Sequence, residues 1–253
     1  MKITFLGSGT SQGVPVITCK CDVCQSKDIK DKRLRASILV EYKNSIFTID
    51  AGPDFRQQML KENVQKLDAI FITHGHKDHV GGMDDVRAFN FKQRKAMDVY
   101  ADELAAQSIK TEFAYAFADD KYPGVPDFNL HLIEDEIIEF NGFKVIPIPL
   151  MHRKLPVLGF RIEDFTYITD ANYISEQSME LIKGTKTLVI NALRKEKHIS
   201  HFTLSEALDI IEIVKPEKAY LTHISHLLGN HKQISAELPE NVFLAYDGLS
   251  LEL

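Results

Sequence analysis

The order of apolar and polar residues along the chain predicts short β-strands that alternate with amphipathic helices. The predicted strands are Ile3–Leu6, Ser37–Tyr42, Ser45–Ile49, Ala69–Thr73, Val99–Ala101, Phe143–Ile148, Leu158–Ile162, Phe165–Thr169, Thr187–Ile190, Ala219–Thr222 and Val242–Ala245. The predicted helices are Asp54–Glu62, Glu103–Phe113, Glu176–Lys183, Thr203–Val214 and His231–Leu238. Strands followed by helices favour parallel crossover connections, so the pattern is typical of a layered α/β fold.

Two segments between the predicted elements carry turn chemistry. The polar pair Lys43–Asn44 separates two adjacent strands and predicts a β-hairpin, so part of the sheet should be antiparallel. The segment Ala114–Asn129 contains two prolines and a glycine and predicts a loop. Because no linker, low-complexity tract or internal repeat divides the sequence, residues 1–253 are expected to form a single domain.

Composition narrows the class of protein. The chain has 30 Lys and Arg against 36 Asp and Glu, a formal net charge of −6, which disfavours binding of a long nucleic acid. No stretch approaches the roughly 18 apolar residues of a membrane span, and the first apolar run is too short for a signal peptide, so we expect a cytoplasmic protein. Three cysteines within six positions exclude a disulfide framework and favour a reducing compartment. Ten histidines direct attention to metal binding.

One segment concentrates metal-ligand chemistry. The apolar segment Leu67–Thr73 ends in three histidines and an aspartate within six positions, namely His74, His76, Asp78 and His79. His74 and His76 share a face of extended chain, while Asp78 and His79 follow a turn and can serve a second ion. A loop that needed only solubility would not favour three imidazoles, which carry little charge at pH 7. The segment therefore predicts metal binding.

Three later apolar runs end in the same way. They lead to His152, Asp170 and His223. Each of these residues by itself is explained better as a turn cap than as a ligand. Taken with the preceding loop, they supply the ligands that two coordination spheres still need.

These motifs resemble those of the metallo-β-lactamase-fold hydrolases, and within them the PhnP-type phosphodiesterases. The resemblance covers essentially the whole chain and is carried by the H-x-H-x-D-H segment together with Phe5–Pro15, Cys19–Cys24, Ile49–Gly52, Leu221–His226 and Tyr246–Gly248. The H-x-H-x-D-H segment is shared by the entire superfamily, whereas the cysteine cluster with Thr-His-Ile-Ser-His is much narrower. The resemblance implies an α/β fold of the four-layer αβ/βα sandwich type, with two mixed β-sheets and outer helices.

The resemblance also assigns the predicted ligands to two metal ions. One ion is held by His74, His76 and His152, the other by Asp78, His79 and His223, and Asp170 bridges both. Mixed nitrogen and oxygen ligands suit zinc, manganese or iron, and the sequence does not choose among them. Asp50, in an Asp-Ala-Gly turn, is expected to support the ligand loop rather than bind metal.

The cysteine cluster predicts a second kind of metal site. Cys19, Cys21 and Cys24 supply three thiolates, and His226 is the candidate for the fourth position of a tetrahedral ion. The resemblance implies a structural zinc of this Cys3His type, carried by an N-terminal loop at 19–24. The alternative is three small buried apolar side chains, as free cysteines often are.

His201 is the candidate proton donor. It precedes a predicted helix whose N-cap is Thr203, with Glu206 completing a capping box, and related enzymes place a catalytic histidine here. The alternative is a surface histidine at a helix start. Asn191 departs from the phosphodiesterase relatives, which carry an acid at this place, and this puts the role of His201 and the substrate in question. His131, His198 and His231 have no motif around them and are expected to be surface or loop residues.

The resemblance implies hydrolysis of a small phosphodiester, in particular a cyclic one, by attack of a hydroxide that bridges the two ions. Asp78, as a ligand, is then essential for catalysis. Alternative functions are a nuclease similar to the tRNA 3′-processing enzymes, hydrolysis of a lactone, thioester or lactam on the same metal pair, and a metal-binding accessory protein without turnover. The expected partner is a small phosphodiester rather than a long nucleic acid or a membrane. Homodimers are common in the family that the chain resembles.

Overall fold

The computed structural model describes residues 1–134 and 136–253, and short strands dominate it. The strands are β1 (Lys2–Gly7), β2 (Ser37–Tyr42), β3 (Ser45–Ile49), β4 (Ala69–Phe71), β5 (Met97–Ala101), β6 (Phe128–Leu132), β7 (Ile138–Phe140), β8 (Phe143–His152), β9 (Leu155–Ile162), β10 (Phe165–Tyr167), β11 (Tyr173–Ile174), β12 (Thr187–Asn191), β13 (Lys218–Thr222), β14 (Val242–Leu244) and β15 (Ser250–Glu252). The α-helices are α1 (Asp22–Gln25), α2 (Phe55–Lys61), α3 (Lys77–Val80), α4 (Arg87–Gln93), α5 (Glu103–Glu112), α6 (Glu176–Ile182), α7 (Leu204–Val214) and α8 (His231–Ser235). Short 3-10 turns span Ile29–Asp31, Met83–Val86 and Ala114–Ala116.

The contacts divide the chain into two compact units, each assembled from separate segments. The first unit contains Met1–Leu6, Ser37–Asp135 and Ser250–Leu253. The second contains Gly7–Ala36 and Glu136–Leu249. Neither unit is one continuous segment of the chain. A single domain over residues 1–253 stays a prediction.

The first unit is built on a seven-stranded mixed sheet with the order β15-β1-β2-β3-β4-β5-β6. The predicted hairpin is confirmed: β2 and β3 pair antiparallel, and both turn residues, Lys43 (φ 46°) and Asn44 (φ 62°), lie in the left-handed region that this turn requires. Strands β3 to β6 pair in parallel. Their buried side chains, such as Ile70 and Val99, belong to a core that also contains Phe55 of α2 and Ile109 of α5. This parallel part of the sheet carries the first predicted ligand loop at the end of β4.

The second unit is built on an eight-stranded mixed sheet with the order β11-β8-β9-β10-β12-β13-β14, with β7 also paired to β8. Strands β10, β12, β13 and β14 run in parallel. Ile190 and Leu221 from these strands share a core with Ile210 of α7. The predicted capping box is confirmed, because the Thr203 hydroxyl accepts from the Glu206 N–H and the Glu206 carboxylate accepts from the Thr203 N–H. The capping box fixes the start of α7 at Leu204, three residues after His201.

Some elements differ from their prediction. The expected loop at Ala114–Asn129 begins with a 3-10 turn, and its end enters β6, which pairs in parallel with β5. Strand β6 is an edge strand in which only Phe128 is buried, so its apolar signal is short. Helices α1 and α3 are single turns that follow Cys21 and His76, and a periodicity of 3.6 residues cannot be read in four residues.

His231 is buried, which corrects its expected place at the surface. Its Nδ1 lies 3.2 Å from Nη2 of Arg33, and its backbone N–H donates to Oδ1 of Asp31 at 2.7 Å. Arg33 and Asp31 are themselves only 3% and 2% exposed. Burial first, and the neighbouring guanidinium second, lower the pKa of His231 to about 4. His198 lies in a loop, as predicted, whereas His131 lies on β6 with its Nε2 2.8 Å from Oδ1 of Asp98.

The buried His231 predicts acid sensitivity. Its folded pKa is depressed below the unfolded value of about 6.5, so the stability it contributes is complete above pH 6.5 and is lost as the pH falls towards 4. At pH 5 a single group of this kind costs about 2 kcal/mol. We expect His231→Asn, which keeps an acceptor facing Arg33, to lose less stability than the wild type between pH 7.5 and 5. Urea unfolding at both pH values measures the difference, and parallel losses in the two proteins would contradict the prediction.

Candidate metal centres

Three predicted functional residues share an uncommon backbone conformation just beyond a strand. Asp50 follows β3 with φ 68°, Asp170 follows β10 with φ 54°, and His223 follows β13 with φ 54°. Side chains other than glycine rarely adopt this left-handed region, and such strain concentrates at functional sites. The conformation turns the chain sharply out of the sheet.

In the first unit, the four predicted ligands of the loop lie side by side. Nε2 of His74 is 3.0 Å from Nδ1 of His76, and Nε2 of His79 is 3.1 Å from Oδ2 of Asp78. Two imidazole nitrogens on one tetrahedral zinc ion would be about 3.3 Å apart, given Zn–N bonds of about 2.05 Å. His74 and His79 are buried. This donor set fits a divalent metal ion.

Asp50 supports the loop, as its motif predicted. Its carboxylate accepts hydrogen bonds from the backbone N–H of Thr73 at 2.8 Å and from the Thr73 hydroxyl at 2.9 and 3.0 Å. Its Oδ2 lies 2.6 Å from Nδ1 of His79. Burial raises the pKa of Asp50, while the neighbouring His79 acts in the opposite direction. Because Nδ1 of His79 is directed at this carboxylate, Nε2 is the nitrogen left to face a metal ion.

The glycines after the loop allow a close backbone contact. A Cβ at Gly82 would lie 2.0 Å from the carbonyl oxygen of Gly52. The N–H of Gly82 donates to the carbonyl of Ala51 at 2.9 Å, and the N–H of Ala51 donates to the carbonyl of His79 at 2.7 Å. The ligand loop is therefore fixed against the Asp-Ala-Gly turn that contains Asp50.

In the second unit, Asp170 lies among imidazoles. Its Oδ2 is 2.9 Å from Nδ1 of His223 and accepts from the hydroxyl of Thr169 at 2.8 Å. Nδ1 of His152 is 2.7 Å from the carbonyl oxygen of Ser200, so this nitrogen carries the proton and Nε2 carries the lone pair that a metal needs. The ligand atoms of His152 and Asp170 lie within 4.8 Å of each other and of His201. This donor set also fits a divalent metal ion.

His201 is buried within that cluster. Its ring centroid is 4.6 Å from that of His152 and 4.8 Å from that of His223. Its Nδ1 has no hydrogen-bond partner in the part of the chain that the structure describes, and lies 3.7 Å from Oδ1 of Asp170. Burial, followed by the charge of His223, lowers the pKa of His201 to about 3. The alternative interpretation was a surface histidine at the start of a helix, and the burial of His201 argues against it.

The four residues of the predicted Cys3His site lie together in the second unit. Sγ of Cys19 and Sγ of Cys21 are 3.4 and 3.3 Å from Nδ1 of His226, and the ligand atoms of all four residues lie within 4.8 Å of one another. Zinc bonds of about 2.3 Å to sulfur and 2.05 Å to nitrogen place such atoms about 3.5 Å apart in a tetrahedral site. The hydrogen bond to His226 is the main cause that lowers the pKa of Cys21 to about 6. The thiolate form of Cys21 is thereby favoured, whereas burial raises the pKa of the Cys24 thiol to about 11.

This cluster is joined to the strand end that carries His223. The N–H of Ile224 donates to the carbonyl of Ser8 at 2.9 Å, and the N–H of Thr10 donates to the carbonyl of Ile224 at 3.1 Å. The Thr10 hydroxyl lies 3.3 Å from Nε2 of His223. The N-terminal segment and the segment from His223 to His226 thus form one hydrogen-bonded structure.

Each unit therefore brings its own predicted ligands together. The first unit gathers His74, His76, Asp78 and His79, and the second gathers His152, Asp170 and His223 and, separately, Cys19, Cys21, Cys24 and His226. The assignment of the first two sets to two shared ions stays a prediction. Sequence reasoning missed the support that Ser200 gives to His152, because a backbone carbonyl leaves no trace in the sequence.

Cys21→Ser is expected to remove one zinc ion per chain and to lower the melting temperature, while kcat of the folded variant changes little. The reason is that the cluster ties the N-terminal loop to the segment bearing His226. Elemental analysis and thermal melting measure both effects, and kcat at a temperature where the variant is folded measures the chemistry. A chelator should lower the melting temperature of the wild type more than that of the variant. Unchanged melting of Cys21→Ser would contradict a structural role.

Comparisons with known proteins bear on the fold and the family of this chain. A family profile described as "Beta-lactamase superfamily domain" matches residues 46–224, more than half of the chain. A crystal structure described as a new diphosphatase from the PhnP family is 41% identical, covers 100% of this chain and 97% of its own, and superposes with a TM-score of 0.93. Among the described residues, no helix is long and apolar enough to cross a membrane.

Two curated relatives extend the comparison. A protein of Porphyromonas gingivalis named octanoyltransferase is 38% identical over 252 residues, which are 98% of this chain and 51% of that protein. A ribonuclease Z of Staphylococcus epidermidis is 27% identical over 168 residues, 64% of this chain and 49% of the enzyme. The chain thus spans about half the length of the curated relatives it matches. The predicted metallo-β-lactamase fold with two mixed sheets is confirmed, and the chain belongs to the beta-lactamase superfamily.

Proposed function

We propose that this protein is a metal-dependent phosphodiesterase that hydrolyses a small phosphodiester, in particular a cyclic one. The observation that carries the proposal is the buried imidazole of His201, whose Nδ1 has no hydrogen-bond partner among the described residues. Burying a polar group without a partner costs free energy, so a position of this kind is retained for chemistry more readily than for stability. The 41% identity to a PhnP-family diphosphatase along the whole chain supports the same reaction class.

In this proposal the seven predicted ligands hold two divalent ions. They are His74, His76, Asp78, His79, His152, Asp170 and His223. When bound, the ions supply Lewis-acid activation of water and of the phosphate oxygens. Asp50 and the Ser200 carbonyl orient two of the imidazoles, through Nδ1 of His79 and Nδ1 of His152. The fixed positive charge also explains how a chain of net charge −6 would attract an anionic substrate.

His201 acts as the proton donor to the leaving oxygen. Its pKa of about 3 without substrate means that the imidazole is neutral at pH 7. A bound phosphate adds negative charge next to the ring, and this favours the protonated form and raises the pKa. Proton donation by His201 therefore requires that the bound phosphate offset the burial that lowers this pKa.

A small substrate is favoured over RNA. The charged segment Lys92–Lys95 is too short to form an extended basic surface, and Nζ of Lys95 lies 3.7 Å from Oδ2 of Asp98. The ribonuclease Z relatives match only about two thirds of this chain. The diphosphatase relative gives a second candidate substrate, a diphosphate ester, which is cleaved by the same attack on phosphorus.

A substrate panel tests the proposal. We expect purified protein with its metal content measured to hydrolyse bis(p-nitrophenyl) phosphate and a ribose cyclic phosphate, and not a tRNA precursor. An asymmetric diphosphate ester and an octanoyl thioester complete the panel, the latter because one relative is named octanoyltransferase. Asp78→Ala should abolish turnover because it removes a predicted ligand. Metal-loaded protein that cleaves no phosphodiester, or that cleaves only the thioester, would refute the proposal.

Substitution of His201 separates its role from that of the ligands. We expect His201→Ala to lower kcat by roughly 10² to 10⁴ without lowering the metal content, since the residue supplies a proton rather than a ligand. His201→Gln keeps a hydrogen-bond donor but no transferable proton, and should be nearly as slow. His198→Ala is the matched control, because that ring lies 5.1 Å from His201 and outside the predicted machinery. Loss of metal from His201→Ala would instead make His201 a ligand.

A further inference from the structure

Asn191 lies at the end of β12, with its side chain buried against the residue that follows Asp170. Its Oδ1 accepts from the N–H of Ala171 at 2.9 Å, and its Nδ2 donates to the carbonyl of Ala171 at 3.0 Å. Asn191 and Ala171 are both 0% exposed. Neither of these hydrogen bonds goes to His201. The amide therefore does not orient the imidazole directly, as an acid at this place would be expected to do.

The pairing requires an amide. The peptide groups of Ala171 present one donor and one acceptor, and the side chain of Asn191 presents the complementary acceptor and donor. A carboxylate only accepts, so it would place a charged oxygen about 3 Å from the carbonyl oxygen of Ala171 and remove one of the two donors to that carbonyl. Backbone pairing with β12 continues only as far as Ile168, whose N–H donates to the carbonyl of Val189 at 2.8 Å, and at Ala171 the side chain of Asn191 makes the contact between the two segments.

Ala171 connects this clamp to two functional residues. It directly follows Asp170, whose φ of 54° is strained. Its carbonyl also accepts from the N–H of Phe202 at 2.8 Å, and Phe202 directly follows His201. The carbonyl of Phe202 in turn accepts from the N–H of Leu193, two residues beyond Asn191. The Asn191 amide thus holds Ala171, and the Ala171 carbonyl in turn holds Phe202. These two residues directly follow Asp170 and His201, whose Oδ1 and Nδ1 atoms are 3.7 Å apart.

We propose that Asn191 is a positioning residue, which sets the geometry of Asp170 and His201 through Ala171. This inference rests on the proposed function for its kinetic readout. Its consequence is that this position requires an amide, and that replacement of Asn191 by an acid impairs the protein. Groups that orient metal ligands typically change metal affinity or activity by about 10- to 100-fold when they are mutated.

The test is Asn191→Asp, with Asn90→Asp as the matched control. Asn90 makes the same bidentate pairing, because its Oδ1 accepts from the N–H of Asp127 and its Nδ2 donates to the carbonyl of Asp127, both at 3.0 Å. Neither Asn90 nor Asp127 adjoins a predicted ligand in the sequence, and Asn90 is half-buried. We expect Asn191→Asp to lower kcat about 10- to 100-fold with KM changed less than about twofold, and to lose active-site metal to a chelator about 10- to 100-fold faster. Asn90→Asp should change neither quantity.

Two further measurements keep the inference open to refutation. If Asn191→Asp does not fold, Asn191→Thr keeps one hydrogen bond without a buried charge and should show a smaller change in the same direction. Imidazole ¹H–¹⁵N spectra report the environments of His201 and His223 without any turnover, and we expect both to shift in the Asn191 variants alone. If the wild-type protein has no phosphodiesterase activity, the proposed function is refuted, but the imidazole spectra still test the positioning role of Asn191. Folded Asn191 variants with wild-type spectra and chelator resistance would overturn the positioning role.

Discussion

Imidazole and carboxylate groups buried at the ends of strands are the constraint on which the rest of this structure depends. Asp50, His79 and Asp170 are each at most 2% exposed. Taking such groups out of water costs several kcal/mol unless hydrogen bonds or a metal replace the lost solvation. Backbone N–H groups, hydroxyls and neighbouring imidazoles supply part of this replacement in each unit. The remaining donor atoms of each unit lie close together, and a divalent metal ion can replace the solvation that they still lack.

The same constraint explains why the supports are as specific as the ligands. An imidazole can present a lone pair at one nitrogen only when the other nitrogen holds a proton, and a fixed acceptor decides which nitrogen that is. Asp50 does this for His79, and the carbonyl of Ser200 does it for His152. One acceptor is a charged side chain and the other a peptide group. The role therefore belongs to a position in the fold rather than to a residue type.

Much of the fold could be read from the sequence, for identifiable reasons. The hairpin at Lys43–Asn44 and the capping box at Thr203 depend on short-range chemistry that the sequence carries locally. The edge strand β6 and the burial of His231 depend on partners distant in the chain, Met97–Ala101 for the strand and Arg33 for the histidine. The candidate ligand residues could be recognised from their residue types and their spacing along the chain. The partner of Asn191 could not be predicted, because any backbone can pair with an amide.

The hydrogen bonds between Asp50 and the ligand loop also bear on conformational entropy. Ordering a backbone costs about 1–2 kcal/mol per residue, and a loop that becomes ordered only around its ion subtracts this cost from the affinity for the ion. Here contacts within the protein order Thr73 and His79, so the entropy of this loop is lost when the chain folds rather than when a metal ion arrives. The affinity of this loop for a metal ion then reflects the donor atoms themselves, because the loop is already ordered when the chain has folded.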